Sequence, residues 1–186
     1  MHCIIVGFGL TGFSVLRYLL KTQVFNNQPI TKISILDTRS DPPEIKKLKA
    51  LDAKQLRQIT CHFSWNPSSD LSSYLIPSME ISKQILIVSP GLNLKLAFLE
   101  QAKVLGIKIM SDIELFLKGV REHEGIKNAK FIGITGSNGK STVTSLVGFL
   151  LNAGNSQTRA AIAGNIGKPV LELGLQNDLN LSLIHI

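Results

Sequence analysis

Cysteine is nearly absent from this chain: Cys3 and Cys61 are its only two in 186 residues. Two thiols cannot build a disulfide framework, and Cys3 lies inside an apolar run. Both therefore read as free thiols of a reducing cytoplasm, neither a bridge nor a metal pair. The four histidines (His2, His62, His123, His185) are scattered with no metal-ligand spacing. No apolar run reaches the roughly 18 residues that span a bilayer. The N-terminus has neither a basic segment nor a small-residue cleavage site, which argues against a secretory signal. No internal repeat or low-complexity tract occurs. The net charge is +7, yet no run of five basic residues exists. Scattered lysines make a solvated surface, with Lys46, Lys47 and Lys49 as the densest cluster, and nucleic acid is not expected as a partner.

Two glycine-rich stretches stand out against this plain background. The first is Gly7, Gly9 and Gly12 in G-x-G-x-x-G spacing. It follows the β-branched run Ile4, Ile5 and Val6, which reads as a buried parallel strand. Phe13, Leu16, Leu19 and Leu20 then repeat at helical spacing. The next strand, residues 32–36, ends at Asp37, Thr38 and Arg39. A carboxylate in that position holds a ribose or sugar hydroxyl in a Rossmann unit, so the default ligand is NAD or FAD. Two residues point elsewhere. The Thr11 hydroxyl sits inside the loop within reach of a phosphate, and Arg39 is suited to a phosphate or to stacking on a base.

The second stretch runs from Ile134 to Thr142 (ITGSNGKST). It follows an apolar run at 130–134 that reads as a buried strand. It precedes Val143, Leu146, Val147, Leu150 and Leu151, which form one apolar helix face. A glycine turn between strand and helix, closing on Gly139-Lys140-Ser141, is the arrangement of a phosphate-binding loop. Backbone N–H groups without helical partners face the anion, and the helix dipole favours negative charge there. Lys140 brings a mobile cation to the β- and γ-phosphates, and Ser141 a hydroxyl for Mg²⁺. The strict spacing would put a glycine at position 134, where Ile134 stands, so the match is close but incomplete.

Between these loops the pattern alternates strand and helix. One amphipathic helix is expected over residues 44–58 and irregular turns over 59–83. A buried strand over 84–88 is broken by Ser89, Pro90 and Gly91, which put a loop at the strand's C-terminal end. A helix is expected over 94–105, a strand over 107–110, and a short helix capped by Ser111. Residues 119–128 read as a linker. A strand over 158–163, a turn at Gly164, Asn165, Ile166 and Gly167, and a helix from Pro169 complete the chain. Asn165 either hydrogen-bonds a substrate or occupies a left-handed backbone position. The expected fold is α/β: a Rossmann-like domain with a parallel sheet over residues 1–122, then the start of a P-loop ATPase domain over 123–186.

Two unlike loops in this order, with these letters between them, resemble the Mur ligase family. The matching pieces are GFGLTGFS at 7–14, Asp37-Thr38-Arg39, VSPG at 88–91, SDIELF at 111–116, GITGSNGKST at 133–142 and GNIG at 164–167. Their letters favour the D-glutamate-adding branch. The resemblance implies an ATP-dependent amide ligase of peptidoglycan precursor synthesis, cytoplasmic and monomeric. Its substrates would be UDP-N-acetylmuramoyl-L-alanine and D-glutamate, joined through an acyl-phosphate intermediate. It also implies that the first domain holds UDP and not NAD. Gly9, Leu10 and Thr11 would meet the diphosphate, Asp37, Thr38 and Arg39 the uridine, and Ser89, Pro90 and Gly91 the pocket border. Gly136, Ser137, Asn138, Gly139, Lys140, Ser141 and Thr142 would bind ATP, with Lys140 and Asn165 at the reacting groups and Ser141 on Mg²⁺. The family's acidic Mg²⁺ ligand, modified lysine and third domain have no counterpart in these 186 residues. An N-terminal fragment without ligase activity is therefore expected. Other readings are a sibling ligase, an NAD-dependent oxidoreductase using Gly7, Gly9, Gly12 and Asp37, and a non-catalytic nucleotide-binding module. The oxidoreductase leaves residues 134–142 without a role.

Overall fold

Strand β1 (His2–Val6) is buried at every position, its apolar run Cys3–Val6 as suits a central parallel strand and His2 as a buried polar residue at its start. The computed structural model describes residues 1–92, 97–122, 130–154, 160–164, 166–173 and 181–185, the last group and residues 120–122 by backbone alone. The chain divides into two compact units, Met1–Asp112 and Ile113–Ile186.

The first unit is built on a five-stranded sheet in the order β5-β4-β1-β6-β7. Its strands are β1, β4 (Lys32–Leu36), β5 (Ile59–His62), β6 (Gln84–Val88) and β7 (Lys108–Ser111). All four neighbouring pairs are parallel, with Val6 facing both Leu36 and Val88. The turn after β1 leads into α1 (Leu10–Thr22), which buries Gly12, Val15, Leu16, Leu19 and Leu20. Gln23 ends the helix in the left-handed conformation, its N–H bonded to the Leu19 carbonyl at 2.9 Å. A two-stranded hairpin follows, β2 (Val24–Phe25) with β3 (Gln28–Pro29). Asn26 and Asn27 at its tip have φ of 50° and 58°, as the tightest hairpin turn requires. Ile4, Val6, Leu36, Leu86, Val88, Phe98 and Leu99 form much of the core under one face of the sheet. Trp65 lies edge-on to Phe98 within it at 4.8 Å.

The single helix expected over 44–58 is two short ones, α2 (Ile45–Lys49) and α3 (Ala53–Leu56). Asp52 divides them. Its side chain accepts from Gln55 N–H at 2.8 Å, and the Gln55 amide reaches back to Asp52 N–H. This capping box starts a new helix where the charge pattern suggested continuation. The stretch expected to be irregular contains β5, an edge strand only half buried and too short to show a clear period. α4 (Ala97–Val104) lies within the helix expected over 94–105, whose first residues, 94–96, are outside the described ones.

Helix α5 (Asp112–Glu122) starts directly after Ser111 and runs through residues 119–122, four of the residues read as linker. From Ile113 on it belongs to the second unit, where Phe116, almost fully buried, packs edge-on against Phe131 at 5.6 Å. Three parallel strands follow in the order β8-β10-β9: β8 (Lys130–Ile134), β9 (Ala160–Gly164) and β10 (Leu181–His185). α6 (Lys140–Gly154) joins β8 to β9, and α7 (Val170–Leu173) starts just after Pro169.

Two burial expectations fail in this unit. β8 is not buried: three of its five residues are exposed, as suits the edge of a small sheet. The apolar stripe of α6 is not its packed face either. The buried residues of α6 are Thr144 and Gly148, one turn apart, where small side chains allow close approach. Val143, Leu146 and Leu150 are 47%, 54% and 57% exposed, and Val147 and Leu151 only half buried. α6 is apolar around most of its circumference, so periodicity alone could not select the packed side.

Candidate functional site

A cleft of about 320 Å³ opens at the C-terminal ends of β1, β4 and β6. Gly7, Gly9, Leu10, Thr11, Arg39, Ser89, Pro90, Gly91 and Leu92 line it. Each part has a local cause. Gly7 turns out of β1 with φ of +91°, a region that L side chains avoid. Its N–H donates to the Leu36 carbonyl at 2.8 Å, and the Gly7 carbonyl accepts from the Ser89 hydroxyl at 2.9 Å. The turns after β1 and β6 are thereby tied together. A Cβ on Gly12 would lie 2.1 Å from the Gly7 carbonyl oxygen, so only glycine lets α1 pack this close to the turn.

Gly9 precedes α1 in extended conformation and offers no side-chain cap. Phe13 N–H donates to the Gly9 carbonyl at 2.9 Å, which starts the helical ladder. The first-turn N–H groups before it have no intrahelical acceptor and sit at the positive end of the dipole. Thr11 and Arg39 line the cleft beside these amides.

Seven of the residues assigned to UDP meet in the cleft: Gly9, Leu10, Thr11, Arg39, Ser89, Pro90 and Gly91. Two do not line it. Thr38 is exposed outside it, and Asp37 is 3% exposed behind Arg39. Asp37 Oδ1 and Oδ2 accept from Arg39 Nε at 2.8 Å and Nη2 at 2.7 Å, and Oδ2 also takes Phe8 N–H at 2.6 Å. Burial alone would raise the Asp37 carboxyl, but the hydrogen bonds from Arg39 and Phe8 outweigh it and hold it below its usual range. The hydrogen bond to Asp37 raises the Arg39 guanidinium in turn. The loop after β5 clamps this segment from outside. Asp37 N–H donates to the His62 carbonyl, Trp65 N–H to the Asp37 carbonyl and Ser64 N–H to the Arg39 carbonyl, at 3.1, 2.9 and 3.1 Å. Leu92 was not anticipated in the lining. Its signal was its place as the apolar residue just after Ser-Pro-Gly.

In the second unit the glycine turn joins β8 to α6 as expected. Gly136 and Gly139 have φ of +154° and +73°. Ser137, Asn138, Ser141 and Thr142 are exposed, and a Cβ on Gly139 would meet nothing within 4 Å. Lys140 folds back, its Nζ donating to the Gly136 carbonyl at 2.5 Å. Val143 N–H donates to the Gly139 carbonyl, and the Thr144 hydroxyl to the Lys140 carbonyl. An open loop with two glycines at positive φ and an amine at its mouth fits a phosphate chain. For a metal, Ser141 offers one neutral oxygen. No group of three His, Cys, Asp or Glu able to hold a metal occurs among the described residues. A divalent ion would fit only with phosphate oxygens completing its shell. Asn165 lies outside the described residues. The Gly164 N–H donates to the Lys168 carbonyl across that turn at 3.0 Å.

A parallel sheet with glycine turns, and a cleft at the C-terminal ends of its strands, defines a Rossmann-like α/β unit. Residues 1–111 match the model of one family within that class, the Mur ligase MurD-like N-terminal domain, and the chain belongs to that family. Proteins called UDP-N-acetylmuramoylalanine–D-glutamate ligase are similar along nearly the whole chain. The one from Saccharophagus degradans is 38% identical over 185 residues, covering 98% of this chain and 35% of the relative. Those from Teredinibacter turnerae and Vibrio cholerae are 38% and 34% identical, each covering 100% of this chain and 35% of the relative. The chain thus spans about a third of the length of these relatives. No described helix is long and apolar enough to cross a membrane.

Proposed function

We propose that this chain carries the substrate-nucleotide domain and the first part of the ATP domain of an ATP-dependent amide ligase. The whole enzyme adds D-glutamate to UDP-N-acetylmuramoyl-L-alanine through an acyl phosphate, in the cytoplasm, during peptidoglycan precursor synthesis. The observation that carries this reading is the convergence of Gly9–Thr11, Arg39 and Ser89–Gly91 on one cleft, within a stretch that matches the family model. The relatives' printed function supports the amino acid and the nucleotide.

In this reading the α1 N-terminus and Thr11 hold the diphosphate, and Arg39 meets the uridine. The loop from Gly136 to Thr142 holds ATP. Bound ATP with Mg²⁺ supplies the phosphoryl group that activates the substrate carboxylate. Lys140 leaves the Gly136 carbonyl to neutralise charge on that group, and Ser141 offers its hydroxyl to the ion. Asn165 is assigned to the same region by likeness alone.

Calorimetry on the 186-residue chain tests the nucleotide. UDP should bind more tightly than NAD, and Arg39→Ala should weaken UDP by about 1–3 kcal/mol through a lost charge-assisted hydrogen bond. Tighter binding of NAD would return the cleft to the oxidoreductase reading.

A further inference from the structure

Asp37 stands where a dinucleotide-binding fold places the carboxylate that takes the ribose hydroxyls. In this chain that carboxylate is already full. Oδ1 accepts from Arg39 backbone N–H at 2.9 Å and from Nε at 2.8 Å. Oδ2 accepts from Phe8 N–H at 2.6 Å and from Nη2 at 2.7 Å. A carboxylate has about four lone-pair sites, and four donors fill them. The group is also buried, 3% exposed, and absent from the cleft wall.

Arg39 is the opposite case. Its side chain is half exposed and lines the cleft. Nε and Nη2 are engaged, which leaves Nη1 and one Nη2 proton without a partner among the described residues. The guanidinium is planar, so two parallel bonds to one carboxylate fix the direction of that remaining edge. Through Phe8 N–H the same carboxylate also pins the turn that carries Gly9, Leu10 and Thr11.

We propose that Asp37 is a positioning residue that aims Arg39 and fixes the glycine turn without touching the ligand, and that the free edge of the Arg39 guanidinium reads the nucleotide. This rests on the cleft being a uridine nucleotide site. It separates the cleft from a dinucleotide site by chemistry. A carboxylate that accepts from ribose hydroxyls is replaced by a guanidinium that donates to carbonyl or phosphate oxygens.

The test is calorimetry on the 186-residue chain with UDP, 2′-deoxy-UDP and 3′-deoxy-UDP. Wild type should bind all three within about twofold, because no carboxylate lone pair is waiting for a ribose hydroxyl. Asp37→Asn keeps an acceptor for Phe8 N–H but releases Arg39. It should weaken UDP about tenfold in the wild-type background and less than about twofold in the Arg39→Ala background, since the two residues act through one contact. A deoxy penalty of about tenfold or more that vanishes in Asp37→Asn would show direct contact with the ribose and overturn the inference. Additive losses in the double variant would overturn it equally. If Asp37→Asn does not fold, wild type still decides: a penalty of about tenfold or more for either deoxy nucleotide overturns the inference, and equal binding within about twofold upholds it. A folded wild type that binds no UDP would remove the nucleotide reading itself, and this inference with it.

Discussion

The two units solve the same local problem, a glycine turn between a parallel strand and a helix, with different amounts of protein around it. In the first unit β1 and β6 are buried at every position, and a Cβ on Gly12 would strike backbone at 2.1 Å. In the second unit three of five β8 residues are exposed, and a Cβ on Gly139 would meet nothing within 4 Å. One turn is held from outside by packing, whereas the other is shaped by its own backbone. Glycine therefore has two different reasons to be present: close approach at Gly12, and the sign of φ at Gly139.

The largest expected effect breaks the two apart directly. Gly12→Ala should destabilise the first unit by at least about 3 kcal/mol, because two backbone segments must separate to admit the methyl group. Gly139→Ala should cost only about 1–2 kcal/mol, the price of a left-handed backbone for an L residue. Chemical denaturation of both variants measures this. Equal losses would mean that the second turn is as tightly enclosed as the first.

Amide hydrogen exchange sharpens the same contrast along the whole chain. Amides of β1 and β6 should exchange at least about tenfold more slowly than those of β8 and α6, since opening a buried sheet costs more than opening a half-exposed one. Uniform protection across both units would dissolve the comparison.

The sequence showed some of this difference and hid the rest. The cleft was legible because its chemistry lies in short motifs: the glycines at 7, 9 and 12, the Asp-Thr-Arg at 37–39 and the Ser-Pro-Gly at 89–91. Their meeting follows from the parallel order of β4, β1 and β6. What stayed hidden depends on partners distant in sequence. The surroundings of the Asp37 carboxylate are one such case. Only the fold brings Phe8 N–H to its oxygens and turns Arg39 onto it. The packed side of α6 was misread because Thr144 and Gly148 carry no hydrophobic signal, although they are the buried residues of the helix. β5 was missed because three half-buried residues and one exposed one, Cys61, at a sheet edge show no period.

A pH titration probes the lower end of the first sheet. His2 is buried across β4, β1 and β6, its ring bridging Ser34 Oγ at 2.8 Å and Gln84 Oε1 at 3.1 Å. Gln84 Oε1 also accepts Ile76 N–H, and Gln84 Nε2 donates to the Ile76 and Met79 carbonyls. That orientation makes His2 Nδ1 the donor and leaves Nε2 as acceptor for Ser34 in the neutral ring. Burial lowers its pKa from the ordinary 6.5, opposed by the Gln84 bond and aided by Lys32, the N-terminus and His62. The unfolded chain then binds the proton more readily. Stability should be full above pH 6.5 and fall as the pH drops below it. His62 is lowered by burial and Lys32 and adds in the same direction. Asp37, held below 3.8, contributes a separate loss only in stronger acid. Denaturant midpoints at pH 7.5 and 5.5 should differ in wild type, and less in His2→Gln. A wild-type midpoint that rises on acidification would reverse the argument.

The smallest effect is the most direct check on the second unit. Phe98 and Phe149 are the same residue in opposite settings, 0% and 69% exposed. Phe98→Ala should cost about 3–5 kcal/mol as a cavity opens beneath Trp65 and Tyr74. Phe149→Ser should stay within about 0.5 kcal/mol, because an exposed ring gives up little burial and serine is nearly as tolerable in a helix. Leu146, Phe149 and Leu150 share one helix face and are all more than half exposed. Removing the ring from that face should therefore also reduce any self-association seen by light scattering, with the unfolding midpoint unmoved. A loss of several kcal/mol from Phe149→Ser in the 186-residue chain would show that this face of α6 is covered in solution. The contrast between a fully packed unit and a half-covered one would then fail at the helix on which it most depends.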